Sequence, residues 1–248
     1  FWPVVKYVIK NSDVVLEILD ARIPELSKNS TLEKMCRTHG KHLIRVFTKI
    51  DLISESNLAS IKELNKDAFF VSGTRNIGLK KLKTHLLIYA KRNNIENLRV
   101  GVTGYPNMGK SAMINALAHR ERAKVSPVAG TTRGVQFIRA GNLYILDSPG
   151  VIPVRDKDTT LGMMGAKNPE KVKNLHRVVF ALIRNFLEKN KSSLEKNYNI
   201  KIEPNDDEYA ILIKIGQKRG FLKKGGEMDE NRTMLSIIRE WQKGKLRI

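Results

Sequence analysis

The chain of 248 residues is long enough for one large domain or for one medium and one small domain with a real core. Its 41% hydrophobic content marks a globular protein, its single Cys36 excludes an internal disulfide or a cysteine metal site, and no apolar run reaches membrane-spanning length. The net charge of +20, from 45 basic and 25 acidic residues, favours a polyanionic partner such as nucleic acid. That charge is spread, however: residues 1–152 carry 24 basic and 12 acidic side chains, and residues 153–248 carry 21 and 13. Composition by itself therefore does not separate an RNA-binding face from a solvated, lysine-rich surface. The start Phe1-Trp2-Pro3-Val4-Val5-Lys6 lacks the form of a signal peptide, so no membrane association and a reducing, cytoplasmic location are expected. Because the first residue is not Met, further residues are expected upstream.

A short helix is predicted over 3–11. It leads into Asp13-Val14-Val15-Leu16-Glu17-Ile18-Leu19-Asp20, an apolar run of strand length that ends in the turn Ala21-Arg22-Ile23-Pro24. A helix with the lone His39 follows, then a strand from Leu43 to Phe47 that runs into Thr48-Lys49-Ile50-Asp51. Next come a helix over 55–65 and a strand Ala68-Phe69-Phe70-Val71 that ends in Ser72-Gly73-Thr74. Leu79, Leu82, Leu86 and Tyr89 line one face of an amphipathic helix from Leu79 to Ala90. Leu98 to Val102 reads as a buried strand and Ala112 to Ala118 as a helix, with a glycine-containing loop between them. Residues 123–133 are polar and turn-rich and suit a mobile loop. Val135 to Ala140 and Leu143 to Leu146 form a hairpin around Gly141-Asn142, and its second strand ends in Asp147-Ser148-Pro149-Gly150.

Past Ile152 the pattern changes. Residues 153–167 read as linker or irregular structure, and Asn168-Pro169-Glu170 reads as a helix start with Asn as cap. Val172, Leu175, Val179, Leu182, Ile183 and Phe186 then recur at helical spacing. Asn205-Asp206-Asp207-Glu208 resembles a capping box for a helix ending near Gly220, and another helix runs from Asp229 to Lys243 and stops at Gly244. The expected architecture is an α/β domain over 1–152 with a mostly parallel sheet, a linker over 153–167, and an all-helical domain over 168–248 as the expected RNA-binding part. Ligands are expected at the carboxyl ends of the parallel strands.

The chemistry stands at those ends. Gly104, Gly109, Lys110 and Ser111 have the G-x-x-x-x-G-K-S spacing of a phosphate loop, with a strand before it and a helix behind it. There the backbone from Asn107 through Met108 and Gly109 to Ala112 can turn successive N–H groups, and a helix N-terminus, toward phosphate oxygens. Lys110 would reach the β- and γ-phosphates and Ser111 would ligate Mg2+. In Thr48-Lys49-Ile50-Asp51, the Asp51 carboxylate would accept from guanine N1–H and its exocyclic amine, and Lys49 would lay its stem along the base. Adenine leaves Asp51 unpaired. Ser72-Gly73-Thr74 could donate a backbone N–H to guanine O6. Asp147 can hold Mg2+ through water, the Gly150 N–H is placed to sense a γ-phosphate, and Thr132, after Gly130-Thr131, is the candidate second hydroxyl ligand. Arg133 reads as a surface charge rather than a catalytic cation.

With the guanine-type segments at 48–51 and 72–74 ahead of the phosphate loop, the order of motifs is that of a circularly permuted GTPase. The chain resembles the YlqF/YawG group of ribosome-assembly GTPases, also in Asp20-Ala21-Arg22-Ile23-Pro24 and, in the tail, in the stretch from Gly225 to Arg232 and in Gly244-Lys245-Leu246. The resemblance implies a circularly permuted Ras-like P-loop NTPase fold that binds GTP and GDP with Mg2+ and hydrolyses GTP to GDP and phosphate. It also implies a nucleotide-dependent switch in assembly of the large ribosomal subunit, with rRNA or a pre-ribosomal large subunit as partner. Thr48 replaces the usual Asn and keeps a hydrogen-bonding group. Val151 stands where many GTPases carry a water-orienting glutamine, a substitution this family shares, which implies slow hydrolysis without a partner. Asn107 matches an asparagine that in related GTPases helps bind K+, so stimulation by potassium is implied. A histidine that bacterial relatives carry after an N-terminal Trp-Phe-Pro has no counterpart at Trp2-Pro3-Val4-Val5, and none of the five histidines has the spacing of a base or ligand. The chain leaves the nucleotide domain just after Gly150, so nucleotide state is expected to bias the tail and its affinity for RNA. Two alternatives stand beside this reading. One is an RNA-binding module that binds guanine nucleotide with little turnover. The other is a P-loop kinase, which the guanine-type tetrapeptide and the lack of an evident acceptor lid disfavour. No feature sets an oligomeric state.

Overall fold

The run Val14–Asp20 forms strand β1, and all seven of its residues are buried. It is third in a seven-stranded sheet of order β3-β2-β1-β4-β7-β6-β5, so it has hydrogen-bonded neighbours on both edges. The computed structural model describes residues 2–119, 124–126, 135–152 and 158–248, and the chain divides into two units, Phe1–Val154 and Arg155–Ile248.

In the first unit β2 (His42–Thr48) and β4 (Leu98–Gly104) flank β1 in parallel, in registers that set Asp20 beside Thr48 and Ile18 beside Gly104. β3 (Phe69–Phe70) adds in parallel to β2, and β7 (Leu143–Asp147) in parallel to β4. β6 (Gln136–Ala140) and β5 (Lys124–Ser126) complete the sheet in antiparallel fashion. Five parallel strands thus bring their carboxyl ends to one edge of the sheet. The covering helices are α1 (Trp2–Lys10), α2 (Pro24–Ser27), α3 (Ser30–Thr38), α4 (Glu55–Leu64), α5 (Leu79–Arg92) and α6 (Lys110–His119). Val5 and Ile9 of α1 pack with Val15, with Leu32 and Cys36 of α3, and with Val151; a second cluster joins Leu19, Ala21, Phe47 and Ile50 with Phe70.

Four local expectations are corrected. The turn at Pro24 continues as the short helix α2, because a proline whose φ suits a turn equally suits a first helical position, and the Ser27 hydroxyl bonds the Pro24 carbonyl. The expected strand 68–71 is reduced to Phe69–Phe70, since it lies on the sheet edge and pairs only with β2. Within the loop expected over 123–133, Lys124–Ser126 pairs with β6; the other residues of that loop lie outside the described residues. The helix expected to start at 168 is only a 3-10 turn, Pro169–Lys171, whose Asn168 cap accepts from the Glu170 N–H at 3.0 Å. Val172 is extended, and the helix restarts at Leu175 under a second asparagine cap, Asn174.

The second unit is helical. α7 (Asp158–Met163) occupies part of the segment read as linker, and α8 (Leu175–Lys189), α9 (Lys191–Tyr198), α10 (Glu208–Lys218) and α11 (Glu230–Gln242) follow. Asp207 and Asp229 cap α10 and α11. Phe186 of α8 meets Trp241 of α11 edge to face at 5.9 Å, and the buried Trp241 indole N–H donates to the Met163 carbonyl at 2.6 Å, so α7, α8 and α11 share one core. Among the described residues no helix is long and apolar enough to cross a membrane.

Glu17 is the outlier inside β1. It has no exposure; Oε1 accepts the Asn29 N–H at 2.9 Å, while Oε2 lies 3.6 Å from Arg45 Nε without a hydrogen bond. Burial pushes its pKa up to about 7 from 4.5, against the pull of the Asn29 N–H. The fold therefore favours the protonated acid. The stabilisation this brings is complete below pH 4.5 and is lost as the pH rises through about 7. Glu17→Gln is expected to flatten the dependence of Tm on pH across that window and to stabilise the protein at about pH 8 by roughly 1–3 kcal/mol. Thermal melts of both proteins over that pH range test this, and an unchanged slope would mean that the carboxyl stays ionised.

Candidate functional site

The loop between β4 and α6 reverses through two left-handed residues, Asn107 (φ 60) and Gly109 (φ 90), so that the backbone around it faces the head of the helix. Lys110 is 8% exposed, and its Nζ folds back to donate to the carbonyls of Gly104 at 3.2 Å and Tyr105 at 2.8 Å. Ser111 is exposed on the first turn, Ala112 is half-buried and Met108 is buried.

Three further segments meet this loop. Asp147 ends β7 in register with Val102, and beyond it the Ser148 N–H bonds Val102 O at 3.1 Å and the Val151 N–H bonds Gly104 O at 3.2 Å. At Gly150 a Cβ would stand 2.6 Å from the Pro106 nitrogen, so only glycine lets the two loops run this close. From the other side, the Thr48 hydroxyl lies within hydrogen-bond reach of Leu19 O at 3.0 Å and of the Met108 carbonyl, which ties the end of β2 to the phosphate-loop segment. Lys49 is left-handed (φ 59), and Ile50–Leu52 form one 3-10 turn that carries the half-buried Asp51. In the third segment, Ser72 pairs with Ile77 and bonds Thr74 through its hydroxyl at 3.1 Å. A Cβ on Gly73 would lie 2.6 Å from the Ala112 carbonyl carbon, which places 72–74 against the first turn of α6. Segments from 48, 72, 104 and 147 onward are thus gathered at one end of the sheet. Thr132, with Gly130, Thr131 and Arg133, lies outside the described residues.

The electrostatics are those of a site with both signs of charge. Burial raises the Asp147 pKa to about 6, opposed by Lys110; burial lowers the Lys110 pKa to about 8, opposed by Asp147. Asp147 Oδ1 is buried with no hydrogen-bond partner among the described residues. An unpaired carboxylate oxygen and the Ser111 hydroxyl on the adjoining helix are hard donors that suit Mg2+. Among the described residues there is no cluster of three or more His, Cys, Asp or Glu, so phosphate and water oxygens would complete such a shell. His39, His42, His85 and His176 find partners elsewhere, in Met35 O, Tyr89, Phe69 and Glu230.

Two groups to which the sequence reading assigned no chemistry also stand here. Asp20, at the end of β1, accepts from Lys49 Nζ at 2.8 Å and from Arg22. A carboxylate closing an apolar strand, with an arginine two residues later, is the signal that would have marked them as a buried ion pair. Replacing the Thr48 hydroxyl is the simplest test of how firmly these segments are joined. Thr48→Val keeps the shape and removes the single hydroxyl proton that Leu19 O and the Met108 carbonyl have within reach, and it is expected to cost about 1–2 kcal/mol in denaturant unfolding. A loss near zero would make that tie incidental.

Comparison with known proteins gives a consistent set of likenesses. The family model described as RsgA GTPase matches residues 3–155, and that described as 50S ribosome-binding GTPase matches residues 99–215. An uncharacterized GTP-binding protein of Methanocaldococcus jannaschii is 39% identical over 98% of this chain, and nucleolar GTP-binding protein 2 of Yarrowia lipolytica is 33% identical over 99%. The chain spans 65% and 49% of those two relatives. YlqF from T. maritima in its GNP-bound crystal structure shares the fold, with a TM-score of 0.60 over 97% of this chain and 92% of that one, at 21% identity.

Proposed function

The chain belongs to the circularly permuted GTPases matched by the RsgA GTPase model, and on that premise we propose that it binds and hydrolyses GTP as a switch in large-subunit ribosome assembly. The observation that carries this reading is the meeting of 48–51, 72–74 and 147–150 at the phosphate loop, although these segments are far apart in the chain. In this reading Asp51 accepts from guanine, a backbone N–H of Ser72-Gly73-Thr74 donates to its O6, and Lys49 covers the base. The backbone of 107–112 and Lys110 hold the phosphates. Mg2+, which when bound neutralises charge developing on the phosphates, would be held by Ser111 and Thr132, with Asp147 acting through water. Lys110 stabilises the same charge as water attacks, and the Gly150 N–H senses the γ-phosphate. Potassium held through Asn107 is part of the proposal, as is a cytoplasmic location, in keeping with one buried free cysteine.

Partners follow from the relatives' names and from charge. The 50S ribosome-binding model, the nucleolar relatives and the net charge of +20 support rRNA or a pre-ribosomal large subunit as the partner, engaged through the helical unit. Because 147–150 lead into that unit within a few residues, nucleotide state can bias what the tail binds. A second reading has its own observation. Val151 is 2% exposed and packs among Val5, Ile9, Val15 and Leu32, so it offers no group to orient water, which favours a module that binds nucleotide and turns it over slowly by itself.

Asp51→Asn is expected to weaken GTP binding by roughly a hundredfold and to favour a xanthine nucleotide, whose 2-oxo group an amide can meet. Equilibrium titration with both nucleotides measures this, and unchanged GTP affinity would remove Asp51 from the base site. Co-sedimentation with large ribosomal particles is expected to differ between a non-hydrolysable GTP analogue and GDP, and the particles are expected to accelerate single-turnover hydrolysis. Equal binding in both states would argue against a switch, and the absence of acceleration would favour the slow module.

A further inference from the structure

The Asp20 carboxylate is fully buried and carries two cations. Its Oδ1 accepts from the Arg22 backbone N–H and from Arg22 Nε, both at 3.0 Å, and its Oδ2 accepts from Arg22 Nη2 and Lys49 Nζ, both at 2.8 Å. Arg22 is 2% exposed. Burial works against the Asp20 charge, but the Arg22 and Lys49 cations outweigh it and hold the carboxyl well below the usual carboxylate range. A buried cluster with one anion and two cations is a poor device for stability, because desolvation offsets most of the attraction. Arg22 is itself fixed by the tight turn after β1, where the Ile23 N–H bonds Asp20 O at 3.1 Å and the Ala21 N–H bonds Thr48 O at 3.1 Å.

What the cluster does hold is Lys49. That residue is left-handed, a conformation that costs a non-glycine residue free energy and needs outside support. It lies between Thr48, tied to the Met108 carbonyl, and the single turn that carries Asp51. Anchoring its ammonium on Asp20 pins both ends of its four-carbon stem. We propose that Asp20, oriented by Arg22, is a positioning residue for base recognition: it stretches the Lys49 stem into a fixed wall of the base slot and thereby sets the angle at which Asp51 meets the base. The inference rests on the guanine-nucleotide reading above.

The test compares GTP with inorganic tripolyphosphate, each with Mg2+, on the full chain. Asp20→Asn is expected to weaken GTP binding by about tenfold or more while changing tripolyphosphate binding by less than about twofold, since only the base side loses its alignment. Lys49→Met keeps the stem and releases its tip, and it is expected to reproduce that loss; the double variant is expected to be no worse than either single one, because both cut the same link. Wild-type GTP affinity in Asp20→Asn, or equal losses for GTP and tripolyphosphate, would overturn the inference, the second by reducing the cluster to general support of the pocket. If Asp20→Asn does not fold, Lys49→Met decides alone, and unchanged GTP affinity there overturns it as well. A wild-type chain that binds tripolyphosphate but shows no preference for GTP over ATP would instead take down the guanine reading and this inference with it.

Discussion

The loop before α6 and the first turn of α6 are approached closely from several directions, twice by backbone at distances that leave no room for a Cβ. Gly73 lies against the Ala112 carbonyl, Gly150 lies against Pro106, and the Thr48 hydroxyl reaches the Met108 carbonyl. These contacts join segments from several strand ends at main-chain groups of the phosphate loop and of the first turn of α6. A helix N-terminus presents partial positive charge whatever surrounds it, but it becomes a specific anion site only when its neighbours are held in one arrangement. The proposed phosphate and base contacts depend on this close packing, because each donor is useful only if its distance to the next is already set.

The same packing explains why the order of segments along the chain does not matter to the pocket. Each of these ties joins residues far apart in sequence, and the parallel registers of β1 with β2 and β4, and of β4 with β7, align the strand ends without reference to which strand comes first. α1 and three strands can therefore precede β4 and the phosphate loop that follows it. One consequence is particular to this order: the loop after Asp147 is both a wall of the site and the lead into the helical unit. Val151 anchors that loop in the core formed by α1, β1 and α3, which gives this wall of the site a hydrophobic attachment to α1.

Three carboxylates in one sheet illustrate how environment sets charge. Glu17 and Asp20 are three residues apart in β1 and equally buried, yet Asp20 has two cations in direct contact and stays ionised, whereas Glu17 has one N–H and a half-exposed Arg45 at 3.6 Å and drifts toward protonation. Asp147 lies between these extremes, with only the field of Lys110 to oppose its burial. Desolvation is common to all three; the number and closeness of the partners decide the outcome. A buried charge that keeps its ionisation is thus a sign of construction, which is why the Asp20 cluster carries more information than its contribution to stability would suggest.

The order of elements, the parallel α/β sheet and the phosphate loop were legible in the amino-acid sequence by itself. They depend on local terms: apolar runs of strand length, helical periodicity, and glycines and a lysine at fixed spacing between a strand and a helix. Edge effects and caps were less legible. β3 shrank to two residues because one neighbour supports fewer ladder bonds than two, and Asn168 caps only a 3-10 turn while Asn174 caps the helix that follows. What tertiary structure alone decided is which distant atoms touch. The sequence places Asp20 at the end of one strand and Ser72-Gly73-Thr74 after another, but only the fold lays Lys49 against Asp20 and sets α6 where a Cβ on Gly73 would find no space. Contacts of that kind are set by sheet order and register, which are properties of the whole fold, and no window of sequence contains them.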